Sequence, residues 1–282
     1  MRGWWQDLTD LVLPAECGGC GRPRTVLCPQ CRAALSGAAP RRVRPAPEPP
    51  GLPAVHAAAP YADEVRAALL AHKERGALAL AGPLGTALAG AVRAGLRAAA
   101  ARAADGVGVR GRADRPVLLV PVPSARRAVR ARGHDPARRI ALAAAGELRR
   151  SGTPAQALAV LRQRRAVADQ SGLDSRQRLV NVAGALEVAV GGARLLLGGP
   201  VVLVDDLMTT GASLAESARA VTAAVYTEPA REEMGERKTG SRQKEANSLY
   251  GTPEMVSAYG AGDVVCAAVV AASPDSFAIN RN

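Results

Sequence analysis

Apolar positions along the chain recur with two periods, and the switches between them predict alternating helices and strands. In "YADEVRAALLAHKERG", from Tyr61 on, Val65, Leu69 and Leu70 share one helical face, while Arg66 and Lys73, seven residues apart, share another. An Ala-rich stretch over 77–104 continues the helical pattern. "RPVLLVPVP", 115–123, is apolar on both faces and ends in proline, which predicts a buried strand. "HDPARRIALAAAGELRR" predicts a helix with Asp135 as N-cap and Pro136 at its first position. A short strand is expected at "ALAVL", 157–161, and a helix followed by a strand from about Ala185 in "GLDSRQRLVNVAGALEVAV". "GPVVLVDD" is the clearest strand, and "GDVVCAAVVAA" predicts another near the C-terminus, with Cys266 in its core. Strands alternating with helices predict a parallel sheet covered on both faces.

Three stretches break the pattern. "AAPRRVRPAPEPPGLP", 38–53, is Pro-rich and reads as a linker between an N-terminal unit (1–37) and the α/β domain (54–282). The segment 226–260 is polar, lacks apolar periodicity and holds two of the three lysines, so it reads as an insertion. Trp4 and Trp5, ahead of "LTDLVLP", predict a short amphipathic helix.

Composition narrows the partners. The 282 residues are nearly half apolar but only 2% aromatic, so the core has to be built from Ala, Val and Leu. The net charge is +12, and all but three of the 37 basic residues are arginines. Arginine forks bind phosphate oxygens bidentately, which points to phosphorylated small molecules or nucleic acid, or else to a merely solubilising basic surface. Asp7 and Asp10 interrupt the place of a secretory apolar region. The apolar stretch 76–92 is short of a bilayer span and contains Pro83. These features predict a soluble, cytoplasmic protein without membrane insertion.

Four of the five cysteines, Cys17, Cys20, Cys28 and Cys31, follow the spacing C-x2-C-x7-C-x2-C. Each C-x-x-C turn can aim two thiolates at one tetrahedral Zn2+. Two disulfides are the alternative, which a cytoplasmic setting disfavours. Four thiolates close the coordination sphere, so the expected zinc is structural and supplies folding energy to a unit too small for its own core.

The richest chemistry lies in "VVLVDDLMTTGAS", 201–213. Sites in parallel sheets form at the carboxyl ends of strands, where Asp205 and Asp206 fall. Thr209, Thr210, Gly211 and Ala212 form a turn, and Ser213 with Glu216 forms an S-x-x-E capping box. A helix N-terminus is an anion site. Two carboxylates beside it suit a sugar phosphate, whose vicinal hydroxyls or Mg2+ they would hold. The plain alternative is a capped turn beside a buried acidic pair with no ligand. No lysine follows a glycine, which excludes a Walker P-loop, and "GVGVRG", 106–111, follows a helix rather than a strand.

This stretch resembles the phosphoribosyl-pyrophosphate (PRPP) motif of type I phosphoribosyltransferases, and the chain as a whole resembles the ComF family (competence protein F, amidophosphoribosyltransferase-like). The likeness rests on the cysteine pairs, Tyr61 with Arg66 and Lys73, "VPVPSARRAVRARG", "QSGLDSRQRLVNVAGAL" and the loop itself. It covers 4–224 and 263–272 and leaves out the insertion. It implies an α/β fold, a type I phosphoribosyltransferase-like parallel sheet flanked by helices, with a small N-terminal four-cysteine zinc-binding unit. By the resemblance, Asp205 and Asp206 would bind the ribose hydroxyls, and Thr209, Thr210, Gly211, Ala212 and Ser213 the 5′-phosphate. Arg126, Arg127, Arg130 and Arg132 fall where such transferases place a pyrophosphate-binding loop, unless they form a solvated basic turn. Gln170, Arg176, Arg178 and Asn181 match a stretch near the family's mobile active-site loop. Where the family usually has an aromatic and Asn-Gln, this chain has His134, Asp135 and Pro136. His134 is then either a general acid or base, or a surface histidine beside a helix cap.

Two functions follow from the resemblance. One is transfer of the phosphoribosyl group of Mg2+-bound PRPP to an unknown acceptor, without a glutamine-hydrolysing half. The other is a non-catalytic DNA-uptake factor that binds single-stranded DNA and competence helicase or recombination proteins. Scarce aromatics would make such DNA binding backbone-driven and salt-dependent.

Overall fold

The strongest apolar runs form the middle of one sheet. The structure is a computed structural model that describes residues 16–105, 115–165, 167, 174–236 and 264–280. Its strands are β1 (Arg41–Val43), β2 (Val55–Pro60), β3 (Val117–Pro121), β4 (Ala155–Ala157), β5 (Leu161–Gln163), β6 (Leu186–Val188), β7 (Val201–Met208) and β8 (Val264–Ala272). Six make a sheet in the order β1-β2-β8-β7-β3-β4, parallel except for edge strand β1. β5 and β6 form a separate antiparallel ribbon. Residues 201–204 and 266–272 are fully buried, as central parallel strands between two helical layers must be.

The helices are α1 (Pro29–Ser36), α2 (Asp63–Glu74), α3 (Ala81–Asp105), α4 (Arg126–Arg132), α5 (Pro136–Arg150), α6 (Ser175–Val182), α7 (Gly192–Leu196) and α8 (Ala212–Glu236). α1, α2, α3 and α5 bury Leu35, Leu69, Leu88 and Ile140 with Val202 and Val204 on one face of the sheet. α7, α8 and the ribbon bury Leu196, Leu214 and Leu186 with Val201 and Leu203 on the other. A scarcity of aromatics forces close packing of small side chains. α3 meets α5 at Gly85, where a Cβ would stand 2.5 Å from that of Ala143. Residues 78–104 are apolar and long enough to cross a bilayer, but more than half of the most apolar window is buried inside the fold.

The chain order defines where ligands can enter. From β3 the chain proceeds to β4 on one side, and from β7 it proceeds through α8 to β8 on the other. The loops after β3 and β7 therefore diverge, leaving a crevice at the carboxyl ends of these neighbours.

Several expectations need correction. The Pro-rich stretch 38–53 is no free linker: it forms β1, and Leu52 packs against the core. Residues 158–160, inside the expected strand 157–161, are the gap between β4 and β5. The expected insertion at 226–260 begins as a continuation of α8, which runs to Glu236. Residues 237–260 of that insertion, Trp4, Trp5 and the glycines of 106–111 lie outside the described residues. Asp135 caps α5 as expected, accepting from the Arg138 N–H at 3.2 Å.

Gly85→Ala tests the close approach of α3 and α5. The better helix propensity of Ala is worth about 1 kcal/mol, and overpacking a tight core costs about 1–3 kcal/mol. The variant is expected to unfold at lower urea concentration than the parent, with an unchanged m-value.

Candidate functional site: a carboxylate and arginine cleft, and a four-cysteine cluster

β7 alternates its side chains between the faces of the sheet. Val202 and Val204 point to the α2 side and Val201 and Leu203 to the α8 side, so Asp206 and Asp205 leave the strand in opposite directions. Both line a cleft of about 940 Å³ at the crevice. The Asp206 N–H donates to Asp205 Oδ1 at 2.8 Å. Lys73 Nζ, from the last turn of α2, lies 2.9 Å from Asp206 Oδ2. Burial, and then the neighbouring Asp206 charge, push the Asp205 carboxyl well above the ordinary aspartate range. Burial opposes the charge of Lys73, but Asp206 and Asp205 outweigh it and raise its pKa.

Beyond the aspartates, Thr209, Thr210, Gly211, Ala212 and Ser213 line the same cleft. Gly211 has φ +75° and its carbonyl accepts from the Ala215 N–H, so it stands at the N-cap of α8. A side chain there would be strained, and a Cβ would come within 3.0 Å of Leu52 and 3.4 Å of Pro45. The expected capping box is not formed. Glu216 is drawn away from Ser213 to the Leu186 N–H and to Arg219, at 3.1 and 2.7 Å. Burial works against its charge, yet Arg219 and backbone N–H groups hold it below the ordinary glutamate range. The helix N-terminus is left without that carboxylate, and Glu216 instead fastens the β5–β6 ribbon to α8.

The facing wall comes from the loop after β3. Val122 to Ala125 in that turn line the cleft, and the Ser124 N–H and hydroxyl donate to the carboxylate of Asp135, which fixes the turn to the start of α5. Of the four expected arginines, Arg127 and Arg132 line the cleft, and Arg126 and Arg130 are not among its lining residues. The α4 helix has a 3.6-residue period, so four arginines in seven positions cannot share one face. Arg132 pairs with Glu74 at 3.0 Å. His134 does not line the cleft; its Nε2 and Nδ1 lie 3.1 and 3.2 Å from the carbonyls of His72 and Arg132. Glu74 and His72 flank Lys73, so two contacts bind the end of α2 to the arginine loop.

Val182, Ala185 and Leu186 add an apolar wall, with Gln163 beside it. Arg178 donates to the Thr209 hydroxyl at 3.4 Å, which brings α6 onto the loop. The Asn181 carbonyl accepts from Arg165, Arg176 is exposed, and Gln170 lies outside the described residues.

Four sulfurs, of Cys17, Cys20, Cys28 and Cys31, lie within 4.8 Å of one another. None is in a disulfide. Cys20 and Cys28 are 3.6 Å apart, near the roughly 3.8 Å that a tetrahedron with 2.3 Å zinc–sulfur bonds requires. The Cys28 N–H donates to Cys17 Sγ and the Cys31 N–H to Cys28 Sγ. Burial disfavours the Cys17 thiolate, but N–H donors from Cys20, Cys28 and Gly19 bring its pKa down to about 6. Burial and the neighbouring sulfurs raise that of Cys31. The Cys31 N–H also lowers the pKa of Cys28, and four sulfurs gathered this closely, with the thiolate favoured at two of them, are a donor set that could bind a metal ion such as zinc.

No family model matches the chain, and no curated protein matches its sequence. The geometry above therefore carries the functional reading.

Two outcomes are expected. Purified protein should contain one zinc per chain by metal analysis, and Cys31→Ser should lose most of it and melt at lower temperature. A raised carboxyl pKa means that the charged form of Asp205 costs folded stability above that pKa, while the cost vanishes below the ordinary carboxyl range. Asp205→Asn should accordingly raise the Tm at pH 7 in Mg2+-free buffer. The gain should fade as the pH is lowered to about 3.

Proposed function

We propose that the chain is a phosphoribosyltransferase-like protein of the ComF family and that its cleft binds PRPP with Mg2+. One observation carries the reading: at the point where the sheet order reverses, an acidic pair and a helix N-terminus face a loop bearing arginines. A ligand that fits must carry hydroxyls for the carboxylates and anions at two positions. PRPP has a diol, a 5′-phosphate and a pyrophosphate.

In this arrangement Asp205 and Asp206 accept from the two ribose hydroxyls. The N–H groups at the start of α8, with the hydroxyls of Thr209, Thr210 and Ser213, take the 5′-phosphate. Arg127 and Arg132 take the pyrophosphate as paired donors. Transfer breaks the bond between C1 and the pyrophosphate oxygen, and the electron pair leaves with pyrophosphate. The carboxylates stand near the ribose as positive charge grows on it, and the arginines stabilise the leaving group. Two adjacent carboxylates that share one lysine are oxygen donors short of positive charge, which suits a hard divalent cation. Mg2+, when bound, would supply charge to the pyrophosphate. The wall of Val182, Ala185 and Leu186 is the place for an acceptor, whose identity the reading leaves unassigned. The four-cysteine unit takes no part in the transfer.

A second reading, a DNA-uptake factor that binds single-stranded DNA and helicase or recombination partners, is favoured by a separate basic cluster. Arg42, Arg44 and Arg102 gather at the β1 edge, where burial and their mutual repulsion lower the pKa of Arg42. None of the three lines the cleft.

Calorimetric titration of zinc-loaded protein with PRPP and Mg2+ separates the two. The PRPP reading expects micromolar binding, weakened at least about hundredfold in the Asp205→Asn, Asp206→Asn double variant, as loss of charged hydrogen bonds implies. Absence of PRPP binding, together with salt-dependent DNA binding unchanged in the double variant, would favour the second.

A further inference from the structure

We infer that Lys73 is a built-in counter-cation of the cleft: it occupies Asp206 in the ligand-free protein, a divalent cation or diol displaces it, and the freed ammonium then holds phosphate oxygens. The displacement stands on the ion pair alone. The phosphate half rests on the reading of the cleft as a PRPP site.

Lys73 is the only lysine among the described residues, in a chain whose basic residues are otherwise almost all arginine. An arginine would grip the carboxylate with a planar two-pronged fork, whereas an ammonium on four methylenes makes a point contact that swings away. The exposures of the pair show which partner moves: the Asp206 side chain is 8% exposed, and that of Lys73 is 35% exposed.

Both neighbours of Lys73 are tied to the arginine loop. The carbonyl of His72 lies 3.1 Å from His134 Nε2, and the carboxylate of Glu74 is paired with Arg132. Release of Asp206 therefore requires rotation of one side chain, not movement of α2. Lys73 already lies close enough to Arg132 for their charges to repel. A ligand that takes Asp206 and brings no anion leaves the Lys73 ammonium without its carboxylate and facing the Arg132 guanidinium. One that brings both a hydroxyl pair or cation for Asp206 and phosphates for Lys73, Arg127 and Arg132 satisfies every charge. The cleft thus selects for both features at once, and a divalent cation delivered with phosphates binds it more tightly than a bare one.

The test uses the full zinc-loaded chain and Lys73→Met. Mn2+ binding without phosphate, followed by electron paramagnetic resonance, should tighten about tenfold in the variant, because the competing ammonium is gone. Adding Asp206→Asn should abolish that gain. The affinity for magnesium pyrophosphate should fall by a similar factor. Unchanged or weaker Mn2+ binding by Lys73→Met would overturn the displacement. Unchanged pyrophosphate binding would overturn the anion-holding half. Should neither protein bind PRPP while the Mn2+ gain persists, the PRPP reading fails and the displacement stands. If the variant does not fold, amine-reactive labelling of the parent chain with mass-spectrometric readout decides. Modification of Lys73 should rise severalfold on adding Mg2+, and no rise would sink the proposal.

Discussion

The carboxylates of Asp205 and Asp206 lie where β7 leaves the sheet, and strand geometry sends them to opposite faces. Charge in such a place has to be answered or neutralised. Asp206 is answered by Lys73, and Asp205 by a backbone N–H that offsets only part of its burial. The surroundings follow from that imbalance. α2 must end where its last turn can present a cation, so Glu74 and His72 are tied to Arg132 and His134. The arginine loop, fastened through Asp135 to α5, is thereby held across from the acidic pair. Sites that keep like charges together commonly cost stability, and that cost is offset elsewhere in the fold. Here it is offset by a sheet whose central strands bury residues 201–204 and 266–272 completely.

Much of this was legible in the sequence because the signals are local. An apolar run that is buried on both faces reads as a central strand, and β7 and β8 do so. Asp135 followed by Pro136 reads as the start of α5 for reasons contained in those two residues. The cysteine spacing placed four sulfurs together for the same reason.

What escaped depends on distant partners. Ser213 and Glu216 have the spacing of a capping box, yet the Leu186 N–H of another element and Arg219 compete for the same carboxylate and win. The prolines of 38–53 have no period, so nothing local reveals that Leu52 and Pro45 close over Gly211. The stretch 157–161 is apolar throughout, and only its pairing partners decide where β4 ends and β5 begins. Lys73 was visible as one member of a helical face. Its meaning appears only once α2 and β7 converge on it.

The four-cysteine unit belongs to the same chain of dependence. Cys17, Cys28 and Cys31 are buried in one core with Val65 and Leu69 of α2. The unit touches the start of α2 and the turn that leads into α3. A Cβ on Gly19 would stand 3.3 Å from Glu64 in the first turn of α2, and one on Gly18 would stand 2.5 Å from Leu80, just before α3. α2 begins at Asp63 with φ +43°, a left-handed conformation that glycine adopts freely and aspartate at a modest cost. A short helix with a strained beginning holds its place when something packed against it is rigid. Four sulfurs closed on a metal are rigid in that sense, and four free thiols in a loop are not. The helix packed against this unit is the one that carries Lys73 to Asp206, so a cluster remote from the cleft in sequence shares a core with the element that presents the cation.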